Sequence, residues 1–586
     1  MNTYFALTIG PIYKTMAMTR KTRELWASSY LFSYLMEQIV KSDKLKGKLV
    51  LPAQSTAKNT TAGLYPDHFI LKLPEINFTY HDALVVVNNE WNEIIKKLPG
   101  GDKDGKQEKF FSNYFQRYML EITLSDKEDP VKTILPLLDT MEQKAAYVPE
   151  FETNFLELFL QKIVDWDRYK EIFEKRPRFP SILEIATQSL KDLLNVNIPE
   201  LIKDYHPDEP KIFNRIFDYC LENEGKEKNV NGKKTIVNDS TAIRLLKQAY
   251  NPEKSTEKED ERFHFHHKYT AIIQADGDNL SQALHAFYTA GKIEAVQMFS
   301  RFLMEFGEEA IRKIEGFGGT PIYMGGDDLL FFAPVKCNNK TIFNLVDDLD
   351  KLFENKLIDS KELNVFLGEW ESGITEKNRR KKVKFSISYG ISIGYHKYPL
   401  RESLETARKL LFDESKTVPE KNALSFKVLK HSGQFFGATW RKDWRSYRLF
   451  LAMLEDAVIE DNFLTSVQHK LNPLRPVLYR ILVGDEIDPA KASFRQDISK
   501  HLHEETKREL FLNRLNINFF NDLVHKEDGK RKFLILTFEY LLQVYRDMED
   551  IYGNNRQTAE KAVDSLYAAL RFIQFIYQPD HNQEEE

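Results

Sequence analysis

A chain of 586 residues, 42% apolar and 29% charged, has material for several cores and about three to five domains. No run of 18 apolar residues suggests a membrane span, and the start MNTYFALTIG lacks the basic region and long apolar core of a signal peptide. Two cysteines, Cys220 and Cys337, exclude a disulfide framework and a four-thiolate zinc site, so a cytoplasmic location is expected; with a net charge of −5, nucleic-acid contact needs local basic patches.

In chain order, residues 3–9 read as a strand closed by Gly10-Pro11. A long helix follows, carrying Arg20, Lys21 and Arg23 with Trp26 and Tyr30, either a solvated face or a contact for RNA backbone. Strands are expected at 49–52, 69–73 and 83–87. His81-Asp82, at the entrance of the last, lacks further ligands and reads as no metal site. Residues 98–108 form a polar loop. Phe155, Leu158, Phe159 and Ile163 have helical spacing within a helical stretch of about 149–220. Residues 223–238 and 251–262 are charged and read as exposed loops. His264, His266 and His267 alternate between faces, so a solvated strand entry is expected there rather than a metal site.

Tyr269 begins an apolar run that ends at Asp276, followed by Gly277 and Asp278; Asn279 or Ser281 then caps a helix running to about Glu315. Two strand-like runs, 321–324 and 329–332, flank Gly325-Gly326-Asp327-Asp328, a hairpin signal in which glycine permits positive φ and close approach of an anion. Asp276 with Asp327 or Asp328 suits the octahedral oxygen shell of Mg²⁺. Because strand side chains alternate, both members of the pair reach one ion only if the turn twists between them. Strand, long helix, strand, strand is also the order of residues 3–73, so the two stretches read as a degenerate duplication. Gly10-Pro11 stands where Asp276-Gly277 does, and Tyr65-Pro66-Asp67-His68 where the Gly-Gly-Asp-Asp does.

Beyond the hairpin, 341–354 reads as a helix and 384–395 as a strand. Ser386, Ser388, Gly390, Ser392 and Gly394 give that strand one face of small residues, for a bound base, the other half of the duplication, or a packed helix. A helix near 401–413 and a strand after Lys421 complete a β-α-β-β-α-β order over 263–431, the ferredoxin-like arrangement. From about 433 the pattern is mostly helical, to an acidic tail at Glu584. Trp440, Trp444 and Tyr447 have helical spacing with Arg441 and Arg445, which fits core packing under snorkelling arginines.

Arg20-Lys-Thr-Arg-Glu-Leu-Trp-Ala-Ser-Ser-Tyr-Leu, Asp276-Gly-Asp-Asn-Leu, Gly325-Gly-Asp-Asp and Lys421-Asn-Ala-Leu resemble the signatures of the Cas10 family, in the Cmr2 form found in type III-B CRISPR effector complexes. Arg178-Phe-Pro-Ser-Ile-Leu-Glu-Ile-Ala is similar to a stretch between that family's two palm domains. The resemblance implies an α+β multidomain fold: a degenerate palm at 1–148, a helical insert at 149–262, a catalytic palm at 263–431 and a C-terminal helical bundle at 432–586. With the palm starting at residue 3, no N-terminal HD nuclease domain is expected. Two cysteines leave no zinc site of the kind relatives carry.

The resemblance also implies RNA-activated joining of ATP into cyclic oligoadenylate, with Asp327 and Asp328 as the acidic pair and Asp276 their partner. Two ATP molecules are expected between the palms, with two Mg²⁺ or Mn²⁺ ions at these carboxylates. Gly277, Asp278, Asn279, Ser281, Gly325, Gly326 and Lys421 are the expected nucleotide contacts. Other Cmr subunits, guide crRNA and target RNA are the implied partners, and no membrane. Two further readings stay open: adenylyl transfer to another small molecule such as S-adenosylmethionine, and a non-catalytic scaffold.

Overall fold

The computed structural model describes residues 1–54, 61–74, 78–96, 106–125, 128–143, 155–164, 179–193, 196–205, 211–230, 233–250, 263–289, 293–359, 385–455, 461–483 and 528–578. Most of the 98–108 loop, the 251–262 linker, Arg178 and the acidic tail lie outside them. The chain forms two compact units, one of residues 1–257, 270–387 and 396–405, the other of 258–269, 388–395 and 406–586.

The first unit opens with β1 (Asn2–Gly10), α1 (Thr22–Val40), β2 (Leu49–Leu51), β3 (His68–Leu73), α2 (Tyr80–Lys96) and β4 (Gln116–Leu124). The strands form one sheet in the order β2-β3-β1-β4, with β1 antiparallel to both neighbours. This is the ferredoxin-like β-α-β-β-α-β arrangement. The central β1 is buried from Tyr4 to Gly10, and α1 buries Leu25, Trp26, Phe32, Leu35, Met36 and Ile39 at helical spacing. A further helix, α3 (Pro130–Glu142), starts on the Asp129 carboxylate, which accepts from Val131 N at 2.9 Å.

Two sequence expectations fail in this half. The strand expected at 83–87 is part of α2, whose buried residues Ala83, Val86, Val87, Trp91 and Ile94 follow a 3.6 period that a five-residue window hides. Asp82 opens that helix by accepting from Thr79 N and Oγ1, both at 2.7 Å. The loop expected over 223–238 contains an antiparallel hairpin, β5 (Glu227–Val230) and β6 (Lys233–Ile236). Asn231-Gly232, between them in sequence, is the two-residue turn signal that charge content obscured.

The first unit continues with β7 (Tyr269–Asp278), α4 (Leu280–Thr289), α5 (Ile293–Gly316), β8 (Thr320–Gly325), β9 (Asp328–Pro334) and α6 (Ile342–Asp359). The single helix expected to Glu315 is therefore two helices, with Gly291 between them in sequence. Within this unit the strands run β8-β9-β7, all antiparallel, as β2-β3-β1 do in the first half. The duplication read from the sequence is thus present in the topology.

The two halves touch along the outer strand. Met324 N donates to Gly63 O at 2.9 Å, Gly63 pairs with Tyr323 as a parallel bridge, and Ser29 Oγ donates to Ile322 O at 3.3 Å. Gly63 has no room for a side chain, since a Cβ there would lie 2.6 Å from Ser33 Cβ.

In the second unit, β10 (Ser386–Tyr395, from Ser388 on) runs parallel to β11 (Ala423–Leu429), which pairs antiparallel with β12 (Phe435–Arg441). The small face of β10 receives a helix: a Cβ on Gly390 would lie 2.2 Å from Ala407 O. Trp440 lies on β12 and Tyr447 on the helix α7 (Arg445–Glu455), so the two share no single helix as their spacing suggested. Trp440 is nevertheless core, stacked 4.6 Å from Phe450 and donating to Tyr540 Oη at 2.9 Å. Helices α8 (Asp461–Val483), α9 (Asp528–Tyr552) and α10 (Arg556–Tyr577) complete the unit. His264, His266 and His267 are buried, not solvated. They sit on a tight turn that closes the end of α10, where Phe265 N donates to Gln578 O and His266 Nδ1 lies 2.9 Å from Ile576 O.

Candidate active site

The acidic site is built by strand register. β7 and β9 pair from Thr270 with Pro334 to Ala275 with Leu329, and one more step sets Asp276 opposite Asp328. On the other side of β9, Gly325 pairs with Asp328. Asp276, Asp328 and Gly325 therefore form a row across three strands, and opposed residues show their side chains on one face. The carboxyls of Asp276 and Asp328 come within hydrogen-bonding range. Of the Asp327/Asp328 pair, the sheet assigns Asp328 to face Asp276.

Asp327 occupies the turn. Gly326 there has φ +70°, a left-handed conformation that costs glycine little. Asp327 packs on Gly277: a Cβ on Gly277 would lie 2.9 Å from Asp327 Cβ and 2.3 Å from Leu280 Cδ1. Gly277 is thus required by close approach rather than by φ. Among the described residues, no group of three His, Cys, Asp or Glu stands ready as a metal-ligand set.

Packing around its carboxyl and the charges of Asp276, Asp327 and Asp67 push Asp328 well above the ordinary carboxylate range. Its side chain still reaches solvent. Burial, with Asp67, Asp328 and Asp327 nearby, likewise raises the Tyr323 phenol. Like charges so close are costly unless a proton or a cation is shared. Hard carboxylate oxygens are the donors that Mg²⁺ or Mn²⁺ takes, so the residues present fit such an ion.

Asp67 had no assigned role in the sequence reading beyond its place in the degenerate copy. It lies just before β3, its carbonyl accepting from Ile9 N at 2.9 Å, and its carboxylate pairs with His68 Nδ1 at 2.9 Å. Asp67, Asp139 and Glu142 act on His68 to raise its pKa against the opposing effect of burial. Glu142 also accepts from Thr8 Oγ1 and packs by Gly10. The degenerate half therefore has carboxylates at the corresponding strand end, delivered by α3 instead of the strand.

The remaining expected contacts have local partners or positions of their own. Asp278 is fully buried and accepts from Ser386 Oγ at 2.7 Å, which occupies its carboxylate within the protein. Asn279 has φ 64° and accepts from Gln282 N through its carbonyl; Ser281 lies in the first turn of α4. Lys421 belongs to the second unit, in the left-handed run Glu420-Lys421-Asn422, with its N–H donating to Val418 O at 2.9 Å. Trp26, offered for RNA contact, is buried and donates to Thr61 O at 2.7 Å.

The family model of the CRISPR-associated protein Cmr2 N-terminal domain matches residues 4–96, and that of the Cas10/Cmr2 second palm domain matches residues 269–425. The CRISPR system Cmr subunit Cmr2 of Pyrococcus furiosus is 26% identical over 193 residues, 29% of this chain and 19% of that protein. A chain of the type III-B Cmr-beta complex bound to cognate target RNA is 11% identical, with a TM-score of 0.47 over 85% of this chain and 78% of that one. A chain of the Csm1–Csm4 cassette in complex with cA4 is 11% identical, with a TM-score of 0.41 over 97% of this chain and 70% of that one. No helix among the described residues is long and apolar enough to cross a membrane. With a Cmr2 N-terminal match followed by a second-palm match that contains Asp276, Asp327 and Asp328, the chain carries two domains of the Cas10/Cmr2 family.

Proposed function

We propose that this chain is the large subunit of an RNA-guided CRISPR complex of the Cmr kind and that its acidic row carries out nucleotidyl transfer from ATP. The observation that carries the reading is the register that opposes Asp276 to Asp328 beside the Gly-Gly turn. Asp276 and Asp328, with Asp327 beside them, would hold Mg²⁺ or Mn²⁺. A divalent ion bound there supplies neutralisation of phosphate charge and a lowered pKa for an attacking hydroxyl. Gly325 and Gly277 let Tyr323 and Asp327 pack directly on the strand ends that carry the carboxylates, because a side chain on either would meet them. The buried Asp278–Ser386 bond holds the Asp276 strand end in place. Guide and target RNA and the other Cmr subunits are the proposed partners. A cyclic oligoadenylate is the proposed product.

The test assembles the complex with guide and matching RNA, supplies labelled ATP with and without S-adenosylmethionine, and identifies products by mass. Asp327→Ala with Asp328→Ala should lower nucleotide product on the order of 10³-fold or more while RNA binding is retained. Undiminished product from that variant refutes the reading. Product only when the second acceptor is present would redirect it to adenylyl transfer.

A further inference from the structure

We propose that the Tyr323 hydroxyl contacts the nucleotide, donating a hydrogen bond to a phosphate oxygen of ATP at the acidic row. The inference rests on the nucleotidyl-transfer reading and adds to it a residue outside the Gly-Gly-Asp-Asp turn.

Tyr323 and Gly325 are two residues apart on β8 and so share a face. Gly325 is the third member of the row with Asp328 and Asp276. The tyrosine side chain lies along that face with its tip over Gly325. A Cβ on Gly325 would be 2.0 Å from Tyr323 Oη and 2.2 Å from Cζ, but 2.7 Å from the ring carbon Cε2. The hydroxyl end therefore occupies the space that glycine leaves, next to Asp328. From behind, the strand is held by the other half of the duplication through the Gly63 bridge.

Asp67, Asp327 and Asp328 surround the phenol closely enough to act on it by charge. Even so, Tyr323 Oη makes no hydrogen bond with any described residue. Tyr323 is only half-buried, so solvent reaches the hydroxyl and its donor is open to a ligand. A triphosphate would bring acceptor oxygens into this space, along with charge that needs donors as well as cations. A phenol is a neutral donor, so it adds to phosphate binding without competing for the cation. The competing explanation is that the ring merely fills the groove beside Gly63. That explanation makes phenylalanine an equal substitute, whereas ours does not.

The discriminating variant is Tyr323→Phe in the full chain, which keeps the ring over Gly325 and removes only the oxygen. Three quantities are read: the melting temperature, Mn²⁺ affinity by electron paramagnetic resonance, and the Kd for the non-hydrolysable analogue AMPPNP with Mg²⁺ by calorimetry. Loss of one hydrogen bond to a charged acceptor should weaken AMPPNP about tenfold, with the other two readings unchanged. Unchanged AMPPNP affinity overturns the inference, as does a parallel loss of Mn²⁺ affinity, which would assign the hydroxyl to the carboxylates instead. Asp327→Ala with Asp328→Ala serves as the separate control. If that variant keeps native Mn²⁺ affinity, the metal-dependent reading fails whatever Tyr323 does. A native chain that binds no AMPPNP overturns both.

Discussion

Asp276, Asp327 and Asp328 were legible because each is announced locally, by a strand end or by the Gly-Gly turn. Tyr323 and Asp67 were not, because their nearness to the acidic row depends on what lies across the sheet or in the other half of the chain. Asp278 shows the opposite error: it carries the same local signal as Asp276, but at the last position of β7 it is fully buried and its carboxylate is bound by Ser386. The same scale covers the two cysteines. Burial pushes Cys220 up to about 12 and Cys337 up to about 11. At pH 8 the thiolate fraction is then on the order of one in a thousand or less. Iodoacetamide should leave both thiols unmodified in the folded chain and alkylate both after denaturation, as peptide mass spectrometry would show. Rapid modification of either in the native chain would contradict its placement.

Among the elements, period decided what could be read. The hairpin β8–β9 and the strand β10 were found because alternation over several residues has one interpretation. Helix α2 was mistaken for a strand because Ala83 to Val87 is apolar and β-branched. Only the later Trp91 and Ile94 reveal the helical stripe. The small face of β10 left several partners possible, and the structure supplies a helix at Gly390. Gly390→Ala places a carbon against the Ala407 carbonyl, backbone that cannot swing aside. It should cost about 1–3 kcal/mol by overpacking, measured as a lower urea midpoint. Gly326→Ala meets nothing within 4 Å and suffers only from its positive φ. It should destabilise by about 1 kcal/mol, a smaller shift on the same scale.

At the scale of the molecule, the acidic row couples stability to pH and to cations. Asp328 is raised in the folded chain, so the fold holds its proton more tightly than the unfolded chain does. The associated stability is complete below the unfolded carboxylate pKa and is lost as pH rises through the folded one. Without a cation, the native chain is therefore less stable at pH 7.5 than near pH 4, through the cost of holding the proton or, once it is lost, through repulsion. Solvent reaching Asp328 keeps the effect small. In chelator, Asp328→Asn should melt about 1–3 °C higher than the native chain at pH 7.5, and the gap should close towards pH 4. Adding Mn²⁺ should raise the native chain and not the variant. A variant that melts lower at pH 7.5 in chelator would contradict the repulsion.

Residue order alone determined the repeated strand-helix-strand-strand pattern, the turn that carries two carboxylates, and the strand that ends in a third, because these depend on neighbours a few positions apart. Which carboxylate of the pair faces Asp276, what Asp278 is for, and that the first half brings Asp67 near the second were decided only by tertiary structure. Register is settled by pairing along a whole ladder, and a single step of slip would exchange the two faces and take Asp328 away from Asp276.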